Sequence, residues 1–227
     1  MEYICGNCKG DIKNIASGIC PHCNTPFELP LEPIPWEQKS SLGIIGAFIG
    51  TLILSLTKPK EYFKRVPTIG GFSNPMIYAL VSGLLGTWFN LAWQILFVYL
   101  GFIDRDAQSP DSSMGFTIMI TVLSPIIIPL GLLVGAGIIQ LALMILGVQK
   151  SNYETTFRVI CYSSGAAVLG ILPVIGGTIG AFMTIFLEAM GLREVYDISL
   201  RRGFAALILP MIFLFLILLM VSRTSSV

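Results

Sequence analysis

Charge is scarce in this sequence: only 12% of its 227 residues are Asp, Glu, Lys or Arg, about half the usual share of a soluble domain. With 54% of its residues hydrophobic, the chain lacks the polar surface that a water-soluble globule needs. Histidine occurs once, as His22, so no Ser/His/Asp or Cys/His set can be assembled in the apolar part of the chain. A phosphate-cradling GxxxxGK[ST] loop is absent. The lysines and arginines form no basic face with stacking aromatics, which argues against nucleic-acid binding. The expectation is a non-enzymatic protein for which the bilayer, not water, is the main solvent.

The cysteines are few and concentrated. Cys5 and Cys8 form one CxxC pair and Cys20 and Cys23 a second, a spacing that presents four thiolates tetrahedrally to one zinc ion. A segment this short cannot bury enough apolar surface to fold unaided, so metal binding would supply its folding free energy. Four thiolates leave no open position for a catalytic water, so the zinc is expected to be structural. His22 sits inside a knuckle as a spacer, and Cys161, alone in an apolar stretch, reads as a packing residue. No apolar run precedes the thiols, so a cleaved secretory signal is not expected. Residues 1–27 are thus expected as a zinc ribbon. Residues 28–41 follow as an extended Pro-rich linker, with Trp36 as an interfacial anchor.

Beyond residue 42 the apolar runs dominate. Crossing a hydrocarbon core takes about 20 helical residues, and residues 76–102, 126–148, 156–172, 174–192 and 204–221 are long enough or nearly so. Residues 42–56 are apolar but short and glycine-rich. If that run is interfacial or re-entrant and the N-terminus is cytoplasmic, a one-sided distribution results. Lys9, Lys13, Lys39, Lys58, Lys60, Lys64, Arg65, Lys150, Arg158, Arg193, Arg201 and Arg202 fall on the cytoplasmic side, and only Arg105 and Arg223 opposite. That bias is the one membrane insertion imposes, and it collapses if the run crosses. The fold expected is therefore an all-α membrane protein. It has a five-span bundle within residues 42–222, an N-terminal zinc-ribbon knob, an interfacial or re-entrant helix, and a C-terminus opposite the N-terminus.

Polar residues inside spans need partners other than lipid. Asn90 and Gln94 continue a small-residue stripe along the first span, Gln140 lies in the second, Arg158 and Tyr162 are one turn apart in the third, and Glu188 is in the fourth. Arg158 and Glu188 either pair near the cytoplasmic face or both snorkel to the headgroups, the second being the simpler reading. Lys58, Lys60, Lys64 and Arg65, beside the interfacial helix, suit attraction to anionic lipid headgroups.

From about Pro35 to Pro210 the chain resembles the Yip domain of the Ypt-interacting protein family. The resemblance rests on TKPKEYF before the first span, GFSNPMIYAL entering it, and FRVICYSSGAAVLGILPVIGG through EAMGLREVYDISLRRGFAALILP. A zinc ribbon followed by Pro35, Trp36 and Glu37 is similar to prokaryotic members. The resemblance implies a five-span bundle with a cytoplasmic N-terminus and, in eukaryotic members, work with small GTPases at transport vesicles. Where those members have Asp-Leu-Tyr-Gly-Pro, this chain has Gly71, Phe72, Ser73, Asn74 and Pro75, which argues against GTPase recruitment. The function expected is a membrane adaptor or membrane-organising protein, in contact with the bilayer and with a protein partner at the cytoplasmic face. The alternative is a small-solute or lipid transporter or channel that uses the polar stripes.

Overall fold

A computed structural model describes residues 32–102 and 113–224, together with Cys8, His22 and Cys23. The chain divides into two compact units, Met1–Glu32 and Pro33–Val227. Of the expected zinc ligands, Cys5 and Cys20 lie outside the described residues, whereas Cys8 is exposed and Cys23 half-buried.

The second unit is helical, with no strand among the described residues. A 3-10 turn at Pro35–Gln38 leads into α1 (Lys39–Leu42), α2 (Ile44–Thr57), α3 (Pro59–Arg65) and α4 (Ser73–Tyr99). After α5 (Ser113–Ile145) come α6 (Tyr153–Ser163), a 3-10 helix (Ser164–Ile171), α7 (Gly176–Tyr196) and α8 (Leu200–Thr224). Among the described residues, Ser73–Tyr99 and Gly115–Ile145 are long and apolar enough to cross a membrane. The burial pattern is the reverse of a soluble protein's. Tyr62, Tyr78, Tyr162 and Arg158 are fully enclosed, while Ile45 (75% exposed), Val122 (71%), Phe182 (71%) and Met211 (68%) face outward. Such a surface is soluble in hydrocarbon and not in water.

The centre is α6 and the 3-10 helix that continues it. Every residue from Thr155 to Ser163 is buried, and the 3-10 segment packs against both α4 and α7. An α-helix rises 1.5 Å per residue and a 3-10 helix about 2.0 Å, so the two together extend about 32 Å, enough for a hydrocarbon core of about 30 Å. The tight winding suits the sequence SGAAVLG, whose small side chains let neighbouring backbones close in. Gly86 of α4 lies against the carbonyl of Ala167 and Gly176 of α7 against that of Leu169. Beyond Ile171 the chain reverses at Leu172–Ile175, with Val174 left-handed at φ 65°.

α5 begins well before the expected 126 and keeps Pro125 and Pro129 inside the helix. Pro125 has no N–H for the carbonyl of Thr121, four residues back. The Ser124 hydroxyl donates to that carbonyl instead, at 2.6 Å, and the helix continues.

Helix α2 turns its small residues inward, Ala47, Thr51 and Ser55 being buried, while Ile45, Ile49 and Ile53 point out. The segment expected as an extended linker departs from that expectation at its C-terminal end. From Pro35 onward it is helical and packed, with Ile34 and Trp36 in the core. Trp36 is therefore a core residue and not an interfacial anchor. Its ring meets Phe48 edge-on and Tyr78 at a tilt, and Tyr78 in turn meets Tyr162 at 5.5 Å between centroids.

Candidate functional site

Two polar constellations stand out, one at each end of the central helix pair. The first surrounds Arg158, which is 1% exposed. A buried guanidinium needs a counter-ion and acceptors for its N–H groups, and here it has both. Nη2 pairs with the Glu37 carboxylate, Nε donates to the carbonyl of Pro67 at 2.6 Å, and Nη1 to that of Gly71 at 2.7 Å. The remaining capacity of Glu37 is also filled. The Tyr162 hydroxyl donates to the oxygen that meets Arg158, and Asn74 Nδ2 donates to the other at 3.0 Å. Lys39 Nζ donates to Asn74 Oδ1 at 2.6 Å, and the Trp36 indole to the Asn74 carbonyl at 2.9 Å. The Trp36 amide donates to Thr51 Oγ1 at 2.7 Å.

This arrangement corrects the pairing expected for Arg158. Its partner is Glu37, from the segment preceding the membrane helices, and not Glu188. Glu188 is half-buried on α7 and makes no ion pair among the described residues. Sequence reasoning missed Glu37 because it treated residues 28–41 as a tether; the Pro-Trp-Glu triplet was the available signal.

One turn before Arg158, Glu154 holds the same loop from the other side. Its Oε1 accepts from the amides of Gly71 at 2.7 Å and Gly70 at 2.9 Å. Those N–H groups converge because both glycines have positive φ, 82° and 144°, a conformation that L side chains rarely adopt. They hold the Glu154 carboxyl below its ordinary value of 4.5. Gly70–Gly71 is thus gripped by its amides through Glu154 and by its carbonyl through Arg158.

The other expected polar residues separate. Gln140 Nε2 donates to Ser151 Oγ at 2.9 Å, and Gln140 Oε1 accepts from Thr156 Oγ1 at 2.6 Å. Thr156 Oγ1 lies 2.7 Å from the Tyr196 hydroxyl, so Gln140 joins α5, α6 and α7. Lys58, Lys60 and Lys64 are exposed and Arg65 half-buried; Lys58 and Arg65 both pair with Glu61. Tyr62 and Phe63 point inward from the same helix, which leaves Lys60 and Lys64 facing out.

Asn90 and Gln94 form part of the second constellation, a cavity of about 480 Å³ between α4 and α5. Thr87, Asn90 and Gln94 line it from α4 and Thr117 and Thr121 from α5, with Trp93, Phe97 and Phe116 around them. Glu188 does not line it. Asn90 Nδ2 donates to the carbonyl of Gly86 at 2.9 Å, and Trp93 Nε1 to that of Ile171 at 3.0 Å.

No group of three metal-ligating side chains occurs among the described residues, a set that lacks Cys5 and Cys20.

A family model for the Yip1 domain matches residues 53–222. No curated protein and no solved structure matches the chain. Glu37 precedes the matched region, whereas Asn74, Arg158 and Tyr162 lie inside it.

Proposed function

The chain belongs to the Yip1 domain family, and from that premise we propose that it is a non-enzymatic membrane adaptor of five spans. Its cytoplasmic N-terminal segment binds one structural zinc through Cys5, Cys8, Cys20 and Cys23 and meets a protein partner. The donor set fits the metal: paired thiols at CxxC spacing, with His22–Cys23 in a turn as a knuckle requires. The observation that carries the reading is the buried Arg158–Glu37 pair. It fastens residues 34–39 to the membrane domain, which makes the stretch that follows the N-terminal segment a fixed part of the bundle.

The same cluster supports a non-crossing α2. Residues on both of its sides, Glu37 before and Pro67 to Gly71 after, reach the one guanidinium. This leaves the charge bias of the sequence intact. Lys60 and Lys64 then lie where anionic headgroups would meet them.

Metal analysis of purified protein and site-directed photo-crosslinking at residue 16 in native membranes test the reading. We expect about one zinc per chain and a discrete crosslinked protein that is lost in the Cys20→Ser variant, while the melting temperature of the bundle holds. Absence of zinc with all four thiols oxidised, or full complementation of a deletion strain by residues 33–227 alone, overturns it. Solute flux in proteoliposomes with the crosslink absent would favour a transporter.

A further inference from the structure

We propose that the cavity between α4 and α5 is a binding site for an uncharged glycerolipid of the diacylglycerol type. Its ester and hydroxyl groups meet Gln94, Asn90 and Thr121, and an acyl chain lies across the aromatic residues. The proposal is independent of the adaptor reading and of which leaflet is involved.

The cavity sits between the two helices long and apolar enough to cross a membrane. Trp88 and Phe89 of α4 and Met119 of α5, beside the lining positions, are exposed. In a bilayer the mouth therefore opens on lipid, which is always present there. At 1.5 Å per residue, Asn90 and Gln94 stand about 26 and 32 Å along α4 from its start. That start is the end held by the Arg158 cluster, so the two amides reach the ester region of the leaflet remote from it.

The lining defines the ligand's chemistry. Thr87, Asn90 and Gln94 fall at helical spacing on α4, and Thr117 and Thr121 are one turn apart on α5, so two polar stripes face each other. None of these groups is charged, which disfavours a phosphate or an ion as the deeply bound group. The half-buried Gln94 amide makes no hydrogen bond to another described residue, so its two donors and its acceptor are open to a polar group at the ester level. Trp93 is fixed by its bond to Ile171, and Trp93 and Phe97 stack with centroids 6.2 Å apart, giving an acyl chain a rigid apolar wall. The volume of about 480 Å³ is that of a small-molecule site, roughly 300–1,000 Å³.

The test uses full-length protein in phosphatidylcholine vesicles containing a diacylglycerol with a diazirine on one acyl chain, with crosslinked peptides mapped by mass spectrometry. Saturable labelling of the 87–97 and 116–121 peptides is expected, displaced by unlabelled diacylglycerol and not by phosphatidylglycerol. Gln94→Leu should weaken displacement about fivefold, the worth of one hydrogen bond. Thr121→Trp should fill the cavity and abolish this labelling while labelling around Met211 persists. If that variant fails to fold, displacement measured in Gln94→Leu decides in its place, and unchanged displacement there overturns the proposal. Unsaturable labelling spread over all outward helix faces, or equal competition by phosphatidylglycerol, would overturn it as well.

Discussion

Gly86 and the carbonyl of Ala167 are so close that a methyl group on Gly86 would lie 2.2 Å from that oxygen. The contact joins α4 to the 3-10 segment, where backbone meets backbone with no side chain to yield. Gly86→Ala is expected to destabilise the bundle by about 3 kcal/mol, the upper end of overpacking costs. Gly131→Ala, with open space around it, should leave the melting temperature in detergent unchanged or slightly raised. Equal effects from the two substitutions would mean that the 3-10 segment does not pack as described.

The Arg158–Glu37 pair is expected to show strong coupling. Glu37→Gln leaves a buried cation without its counter-ion and should cost about 3–5 kcal/mol. Arg158→Met strands the carboxylate and should cost a similar amount. The double variant should recover part of that loss, which a thermodynamic cycle in detergent measures. Glu188→Gln should show no coupling with Arg158→Met, since the two residues do not pair.

Acidification should loosen the Gly70–Gly71 turn. Glu154 is held below its ordinary value of 4.5 by the amides of Gly71 and Gly70. Its contribution is therefore complete above that ordinary value and is lost as pH falls through the lower, folded-state value. Amide exchange at Gly70 and Gly71, corrected for the intrinsic pH dependence, should accelerate in that acidic window in the native protein. In Glu154→Gln the exchange should be faster throughout, with no such step.

Single cysteines at Ser40 and Lys60, in a variant lacking native thiols, test the course of α2. Both should react with an impermeant maleimide from the same side of the membrane. Labelling from opposite sides would make α2 a crossing helix and would separate Lys58–Arg65 from the N-terminal lysines.

Hydropathy made α4 and α7 legible because each is a single apolar run, α4 between polar turns and α7 between an apolar Pro turn and the charged end at Arg193–Asp197. The break between the third and fourth runs was legible too, since Leu172-Pro173 cannot continue a helix. The early start of α5 was not: the span was expected to begin at residue 126, just past Pro125, and the hydroxyl that makes Pro125 tolerable, on Ser124, has no pattern of its own. The stripe of Asn90 and Gln94 was visible at helical spacing. Its facing threonines, Thr117 and Thr121, fell in the stretch not assigned to a span. Arg158 drew notice as an ionisable group in an apolar stretch, but its partner lies 121 residues away. Placement on the small-residue sides of adjacent spans pointed to Glu188, which only the three-dimensional packing rules out.

That separation has a consequence for the order of biogenesis. At roughly 5–20 residues per second, the ribosome makes Glu37 about 6–24 s before Arg158, long after the first transmembrane segment has left it. Through that interval the carboxylate has no guanidinium to meet, and residues 34–39 have no completed seat. Only the arrival of α6 closes the cluster, so the N-terminal segment is locked down by a helix made well after it. A nascent chain arrested before Tyr153 should leave Trp36 open to limited proteolysis, and one released beyond Ser163 should protect it.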